Sequence, residues 1–283
     1  LNKIWNAHKF SQINNCKYNK KLDFNKIKLD VNKWIYFELV KTNKEAQKHF
    51  TNFRFDEAAK VIYQFVWHSY CDWYIEFLKP VFDLKEKKSI NEARSFVSFI
   101  ESSILVMLHP FIPFFTEKVW LDLKLDKILK TPLMYKDWKL PIESNSKFKK
   151  NYEKIDWLRQ LVTNIRSTKV DLDILPGSFI EINIKDLKKE KRDIIMNNSS
   201  VFKRLGRVSD IHNSIIDKNG IKIVIGLETV TLYLDKNINL PEQQIKISKK
   251  VNDLDKKIHI LMKKLENKSF LDKAPTLIVQ KEK

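Results

Sequence analysis

Glycine is scarce and unevenly placed in this chain of 283 residues: there are four, Gly177, Gly206, Gly220 and Gly226, and none precedes position 177. Tight turns and strand corners draw on glycine, so the first half reads as helical. Cysteine is as sparse, since Cys16 and Cys71 lie far apart and form no C-x-x-C. The six histidines (His8, His49, His68, His109, His212, His259) show no metal-ligand spacing. A disulfide framework and a structural zinc site are therefore not expected, and a reducing cytosol fits this usage. No apolar run approaches the roughly 18 to 20 residues that span a bilayer, so no membrane partner is expected. The opening LNKIWNAHKF is neither a signal peptide nor an initiator methionine, and the chain reads as a fragment of something longer.

Negative charge is also in short supply. Against 53 lysines and arginines stand 35 aspartates and glutamates, giving a formal charge of +18 and a pI near 9.6. Such an excess suggests a polyanionic partner, of which nucleic acid is the commonest. A blander cause competes, because Lys, Asn and Ile are all abundant, as drift toward AT-rich codons would make them. The placement of the charge decides more than its sum. The 43% hydrophobic content is enough for an ordinary buried core.

Apolar spacing of three and four residues predicts helices from Leu1 to about Ile13, from Asp30 (a plausible N-cap) to Phe50, from Arg54 to Pro80, and from Ile90 to Leu108. In the following HPFIPFFTEKVW, Pro110 and Pro113 break the helix and Thr116 can cap a short new one. From about Ser146 the pattern changes. A helix over Tyr152 to Ile165 leads into LDILPGSFIEINIK, with a Pro176-Gly177 turn between two candidate strands. A helix over about Leu187 to Leu205 precedes DKNGIKIVIGLETVTLYL, a hairpin signal with Asn219-Gly220 as its turn. Beyond Pro241, Ile247, Val251, Leu254, Ile258, Leu261 and Leu265 form a heptad seam. The expected fold is mainly α: an antiparallel helical bundle (1–145), a small α+β unit (146–240) and a coiled-coil arm (241–283).

The stretch RFDEAAKVIYQFVWHSYCDWYIEFLKP holds eight aromatic rings, a histidine, a cysteine and several acids. Phe55, Ala59, Ile62, Val66, Trp73 and Phe77 fall on one helical stripe, and Tyr63, Trp67, Tyr70 and Tyr74 on a second. A large ring buried rather than exposed contributes roughly 1.5 to 3 kcal/mol, so burial between helices outweighs an RNA-stacking platform. His68 and Asp72 can pair at four residues' spacing, but no nucleophile stands suitably beside them. Cys71 reads as a packed thiol. KISKK, Lys246 to Lys250, looks like the KMSKS loop of class I aminoacyl-tRNA synthetases, yet Ile247 lies on the heptad seam. No glycine-rich phosphate loop or HIGH-like partner accompanies it, so it reads as a helix surface. Lysine pairs at Lys249-Lys250, Lys256-Lys257 and Lys263-Lys264 recur every seven residues. That phasing makes a basic stripe suited to a phosphate backbone, or an ordinary solvated face of a coiled coil.

The same aromatic stretch, followed by LHPFIPFFTEKVW, resembles the anticodon-binding bundle of class I synthetases, and CDWYIE resembles the valyl-tRNA synthetase family. KIWNAHKF and NKWIYFEL are similar to earlier helices of that domain, IRSTKVDLDILPGSF to the segment opening the intervening domain, and KKLENKSFLDKAPTLIVQKEK to the family's tRNA-binding arm. Lys118 departs from a glutamate common in the family, and the chain stops before a full return helix of the arm. The resemblance implies the tRNA-recognition portion of an enzyme that joins valine to its tRNA with ATP and magnesium and edits mischarged product, both in domains not in this chain. No catalytic, metal or cofactor site is expected within it. Valine tRNA is the implied partner, DNA is not, and the full-length enzyme is expected to be a cytoplasmic monomer. Asn6, Lys9, Phe10 and Arg54 are the candidates for anticodon contacts, although Phe10 also suits a core and Arg54 can pair with Asp56 or Glu57. Arg166 and Lys169 are candidates at the junction, and Lys249, Lys250, Lys256, Lys257, Lys263 and Lys264 on the arm. A free-standing RNA-binding module and a helical protein-interaction scaffold remain alternatives.

Overall fold

The computed structural model describes residues 1–83, 86–138, 148–216, 220–233 and 240–266. The glycine-free half is helical: α1 (Asn2–Ile13), α2 (Asp30–Thr51), α3 (Phe55–Gln64), α4 (Ile75–Phe82), α5 (Lys87–Leu108), α6 (Pro113–Asp122) and α7 (Leu125–Leu129). Between α3 and α4 the chain continues without a break as a π-helix, Phe65–Tyr74. Closure from i to i+5 widens the turn, so buried positions recur at four and five residues: Phe65, Val66, Ser69, Tyr70 and Tyr74. This changes the expected stripes. Tyr70, Tyr74 and Phe77 are buried as expected, whereas Tyr63 and Phe55 are exposed and Trp67 and Trp73 only half-buried.

The core of the bundle gathers around α2. Trp34, Ile35, Tyr36 and Leu39 are fully buried, packed with Phe77 and Leu78 of α4 and Phe96 and Ile100 of α5. Glu92 of α5 fixes the start of α2 by accepting from the backbone N–H groups of Lys28 and Leu29, both at 3.0 Å, and from Asn32 Nδ2 at 2.9 Å. Asn32 in turn accepts from the buried Tyr74 hydroxyl at 2.8 Å. Orphan donors at a helix start need such acceptors. Leu29, not Asp30, occupies the N-cap position; Asp30 bonds Lys33 and Asn151 instead. Likewise Ile112 is the N-cap of α6, with Pro113 at its first position. Thr116 lies one turn in, its hydroxyl 3.1 Å from the Ile112 carbonyl.

Helix α8 (Lys149–Asp171) packs against α2 on one side and against α10 and β3 on the other, so it joins the bundle to the sheet unit. That unit contains β1 (Ile180–Asn183), α9 (Lys189–Asn197), α10 (Ser199–Gly206), β2 (Val208–His212), β3 (Ile221–Ile225) and β4 (Glu228–Tyr233), in the sheet order β2-β1-β4-β3. β1 runs parallel to β2 and antiparallel to β4, and the β3–β4 register pairs Ile221 with Leu232 and Ile225 with Glu228.

Three expectations for this half are corrected. No strand precedes Pro176: α8 continues to Asp171, and residues 172–175 follow it as a turn and irregular chain before the sheet begins at Ile180. The helix expected over Leu187 to Leu205 is two helices, broken at Asn198. The hairpin turns at Gly226-Leu227 rather than Asn219-Gly220, as the register requires. Gly226 has φ +62°, a backbone that glycine adopts without strain in the first central position of a II′ turn. Asn219 and the boundary expected at 145/146 lie outside the described residues.

Helix α11 (Leu240–Glu266) covers the heptad seam, and the KISKK segment is part of it. Val251, Leu254 and Ile258 are exposed, with Leu261 and Leu265 partly covered. The partner expected for this helix, in residues 267–283, lies outside the described residues.

Candidate nucleic-acid interface

The corner between α2 and α3 carries the most exposed aromatic cluster of the bundle. Phe53 takes a left-handed backbone, φ +56°, and leaves 80% of its surface in water, while Phe55 leaves 50%. Their rings meet edge-on at 6.3 Å. Phe55 continues onto Phe50 at 5.4 Å, and Phe50 onto Phe111 at 5.6 Å and Trp138 at 4.7 Å. A series of rings thus leads from the core to solvent, its outer members held in place by the inner ones. A bulky residue at positive φ is uncommon and costly, and burial does not repay that cost at Phe53.

Arg54 stands between the two rings. Its guanidinium bonds both carboxylate oxygens of Asp56 at 3.2 Å and approaches Glu57 at 3.5 Å. The hydrogen bond and charge of Asp56 raise the pKa of Arg54, and the Arg54 hydrogen bond lowers that of Asp56. All of these groups are exposed or partly so, and exposed ion pairs are screened by solvent. The arginine can exchange its acids for another anion.

The other candidates of the bundle sit apart from this corner. On α1, Asn6 and Lys9 are exposed; Lys9 donates to Gln12 at 3.0 Å and lies 4.8 Å from the Trp5 ring centre. Phe10 packs edge-on against Phe82 at 5.6 Å as part of the core margin. No hydrogen bond, ion pair or ring contact joins these three to Arg54 among the described residues.

The junction candidates are anchored. Arg166 donates from Nε and a terminal nitrogen to the Leu205 carbonyl, at 3.1 and 2.9 Å, and lies 5.5 Å from the Trp73 ring centre. Lys169, 3% exposed, donates to the Ser178 carbonyl at 2.7 Å and the Gly206 carbonyl at 3.3 Å. Both cations thereby cap the C-terminal carbonyls of α10, where positive charge is favoured. Burial, then the charges of Arg207 and Arg166, lower the Lys169 ammonium to about 8. On α11, Lys249, Lys256, Lys257 and Lys263 are exposed on the helix surface. The side chains of Lys250 and Lys264 lie outside the described set.

The groups that first suggested chemistry are structural. His68 meets Asp72 at 3.4 Å at the surface, and Asp72 also pairs with Lys3. Burial pushes the Cys71 thiol up to about 12, which leaves no reactive thiolate near neutral pH. Sequence reasoning missed Phe53, Arg204 and Arg207. The run KRLGR, with three cations in five residues (Lys203 to Arg207), was the available signal for the arginines. Nothing in the sequence marks Phe53 as exposed.

A helical bundle with a small four-stranded sheet agrees with the family comparison. The chain belongs to the family described as the anticodon-binding domain of tRNA ligase, whose model matches residues 32–184, from α2 through β1. Over its whole length it is also similar to valine-tRNA ligases. It is 35% identical to that of Pelagibacter ubique across 100% of this chain and 32% of that protein. It is 33% identical to that of Mesorhizobium japonicum (99% and 30%) and 31% identical to that of Brucella suis (99% and 31%). The chain spans about a third of the length of these curated relatives.

Proposed function

We propose that the protein is the tRNA-recognition part of a valine-tRNA ligase, with valine tRNA as its partner. The observation that carries this reading is the family match over α2 to β1, the elements that hold the exposed Phe53–Arg54–Phe55 corner. Unpaired anticodon bases can be splayed out and stacked on aromatic rings. Phe53 and Phe55 offer such faces at a fixed spacing, and Arg54 supplies a cation for the adjoining phosphate. Asn6 and Lys9 of α1 add polar contacts on a separate part of the bundle surface. Phe10 supports them from the core margin. The α11 lysines, including Lys250 and Lys264, follow the backbone at the outer corner of the tRNA, where positive charge acts independently of sequence.

Valine activation with ATP and magnesium, and editing, are assigned to parts of the enzyme outside this chain. The residues present do not suit ATP: Lys246 to Lys250 is part of regular helix, and the sequence has no glycine-rich phosphate loop. Among the described residues no helix is long and apolar enough to cross a membrane, and the enzyme is assigned to the cytoplasm as a monomer. Filter binding of valine tRNA, compared with the same tRNA carrying a changed anticodon, tests the proposal. Weaker binding of the changed tRNA is expected. Equal binding would reduce the protein to a general RNA-binding module, and no binding at all would leave only a scaffold role.

A further inference from the structure

A cleft of about 680 Å³ opens where α4, α8, the Pro176 loop and the end of α10 meet, lined by Glu76, Arg166, Lys169, Val170, Pro176 and Arg204 to Arg207. Four of these residues are cationic. Glu76 is the only acid among the described lining residues, and it is paired with Lys79 outside the cleft. Asp72 and Glu76 act on Arg166 only at longer range, and none of the four cations has an ion-pair partner among the described residues. Arg166 directs its hydrogen bonds to the Leu205 carbonyl at the end of α10, and Lys169 divides its own between the Ser178 and Gly206 carbonyls. Arg204 and Arg207 are exposed, with their donors available.

Desolvation already penalises the charge on Lys169, and the Arg207 and Arg166 charges penalise it further. A site that concentrates positive charge in this way suits an anion. Arg207 is also held at φ +52°, and its guanidinium lies 5.8 Å from the ring centre of Phe179, which is 57% exposed. Phosphate-binding cations thus stand in the cleft near the exposed face of Phe179, a ring that lies against Arg207 and outside the lining itself. Inorganic phosphate has no use for such a face, whereas a nucleotide in a chain does.

We infer that this cleft binds one nucleotide of a bound RNA, Arg204 and Arg207 taking its phosphate and Phe179 stacking on its base. The inference rests on the proposed tRNA recognition and adds a contact separate from the α2–α3 corner. Arg166 and Lys169 act as positioning residues that fix the end of α10 and contribute their field.

The test is tRNA binding by the protein as a function of salt, wild type against the double variant Arg204→Gln, Arg207→Gly. Glycine suits the φ of Arg207, so the variant keeps its fold. Lys203→Gln, which removes a neighbouring charge that pairs with Asp210 at 3.5 Å, serves as the control. The double variant should flatten the log–log salt slope by about 0.7 to 0.9, as expected when one phosphate is no longer neutralised, and Lys203→Gln should leave it unchanged. Equal slopes for wild type and double variant, or equal flattening by Lys203→Gln, would overturn the inference. A thermal-shift arm with inorganic phosphate at constant ionic strength separates the sources. Phosphate stabilising wild type but not the variant, with no change in the RNA slope, would mark a free-anion site and overturn the RNA assignment. If wild type binds no tRNA, the proposed function fails and the inference with it; if it binds with a slope indifferent to the cleft, the inference fails alone.

Discussion

Replacing Phe53 by glycine separates what the α2–α3 corner does from what holds it together. At φ +56° a β-carbon crowds the neighbouring carbonyl at a cost of roughly 1 to 2 kcal/mol, and glycine removes that cost. It gives back about 0.5 to 1 kcal/mol in unfolded-chain entropy. The edge-on packing against Phe55 at 6.3 Å also disappears; such pairs contribute about 0.5 to 1.5 kcal/mol, less for rings so largely in water. These terms nearly cancel, so stability in urea should stay within about 1 kcal/mol of wild type. Binding should not: a ring stacked on a base contributes about 1 to 3 kcal/mol, so tRNA affinity should fall roughly 5- to 150-fold. Phe53→Ala, which keeps the strain, should bind as weakly as the glycine variant while folding less stably. A glycine variant with wild-type affinity would refute the stacking role, and one that unfolds would show that the ring is structural after all.

Three further outcomes are expected. Glu92→Ala removes the acceptor for two backbone N–H groups and Asn32 at the start of α2; charge-assisted hydrogen bonds of this kind predict a loss of about 2 to 4 kcal/mol in denaturant unfolding, and a loss under about 1 kcal/mol would mean water replaces them. Lys169 has a folded pKa near 8, below the ordinary 10.5, so between those values the unfolded chain binds more protons and stability should rise with pH. Chemical denaturation of wild type and Lys169→Met across that window should show wild type gaining on the variant as pH rises, and a flat or falling difference would refute the buried ammonium. Replacing Lys256 and Lys257 by alanine should lower the salt slope of tRNA binding by about 0.7 to 0.9 for each phosphate no longer neutralised; an unchanged slope would make them solvated surface.

The helical half was legible because its signals are local. Absence of glycine, apolar spacing and proline breaks place α1, α2 and α5 within a few residues. The π-helix was not legible, because its wider turn reassigns faces without changing composition; so Trp67, expected inside, is only half-buried. The sheet half depends on longer-range pairing. Asn219-Gly220 is the stronger local turn signal, but the register of Ile221 with Leu232 closes the hairpin at Gly226. β2, VSDIH, has no apolar alternation to announce it. At the candidate site, the arm lysines could be read from their period and Arg54 from its motif. KRLGR marks Arg204 and Arg207 as a cluster of charge, but not their place in a cleft, which depends on the packing of α8 against α10. The exposure of Phe53 depends on a corner that only the folded bundle creates.

Hydroxyl-radical footprinting of valine tRNA bound to the protein tests tRNA recognition most directly. Protection concentrated in the anticodon loop, with a second patch at the outer corner, is the expected result. Protection spread evenly along the backbone, or absent from the anticodon loop, would contradict it.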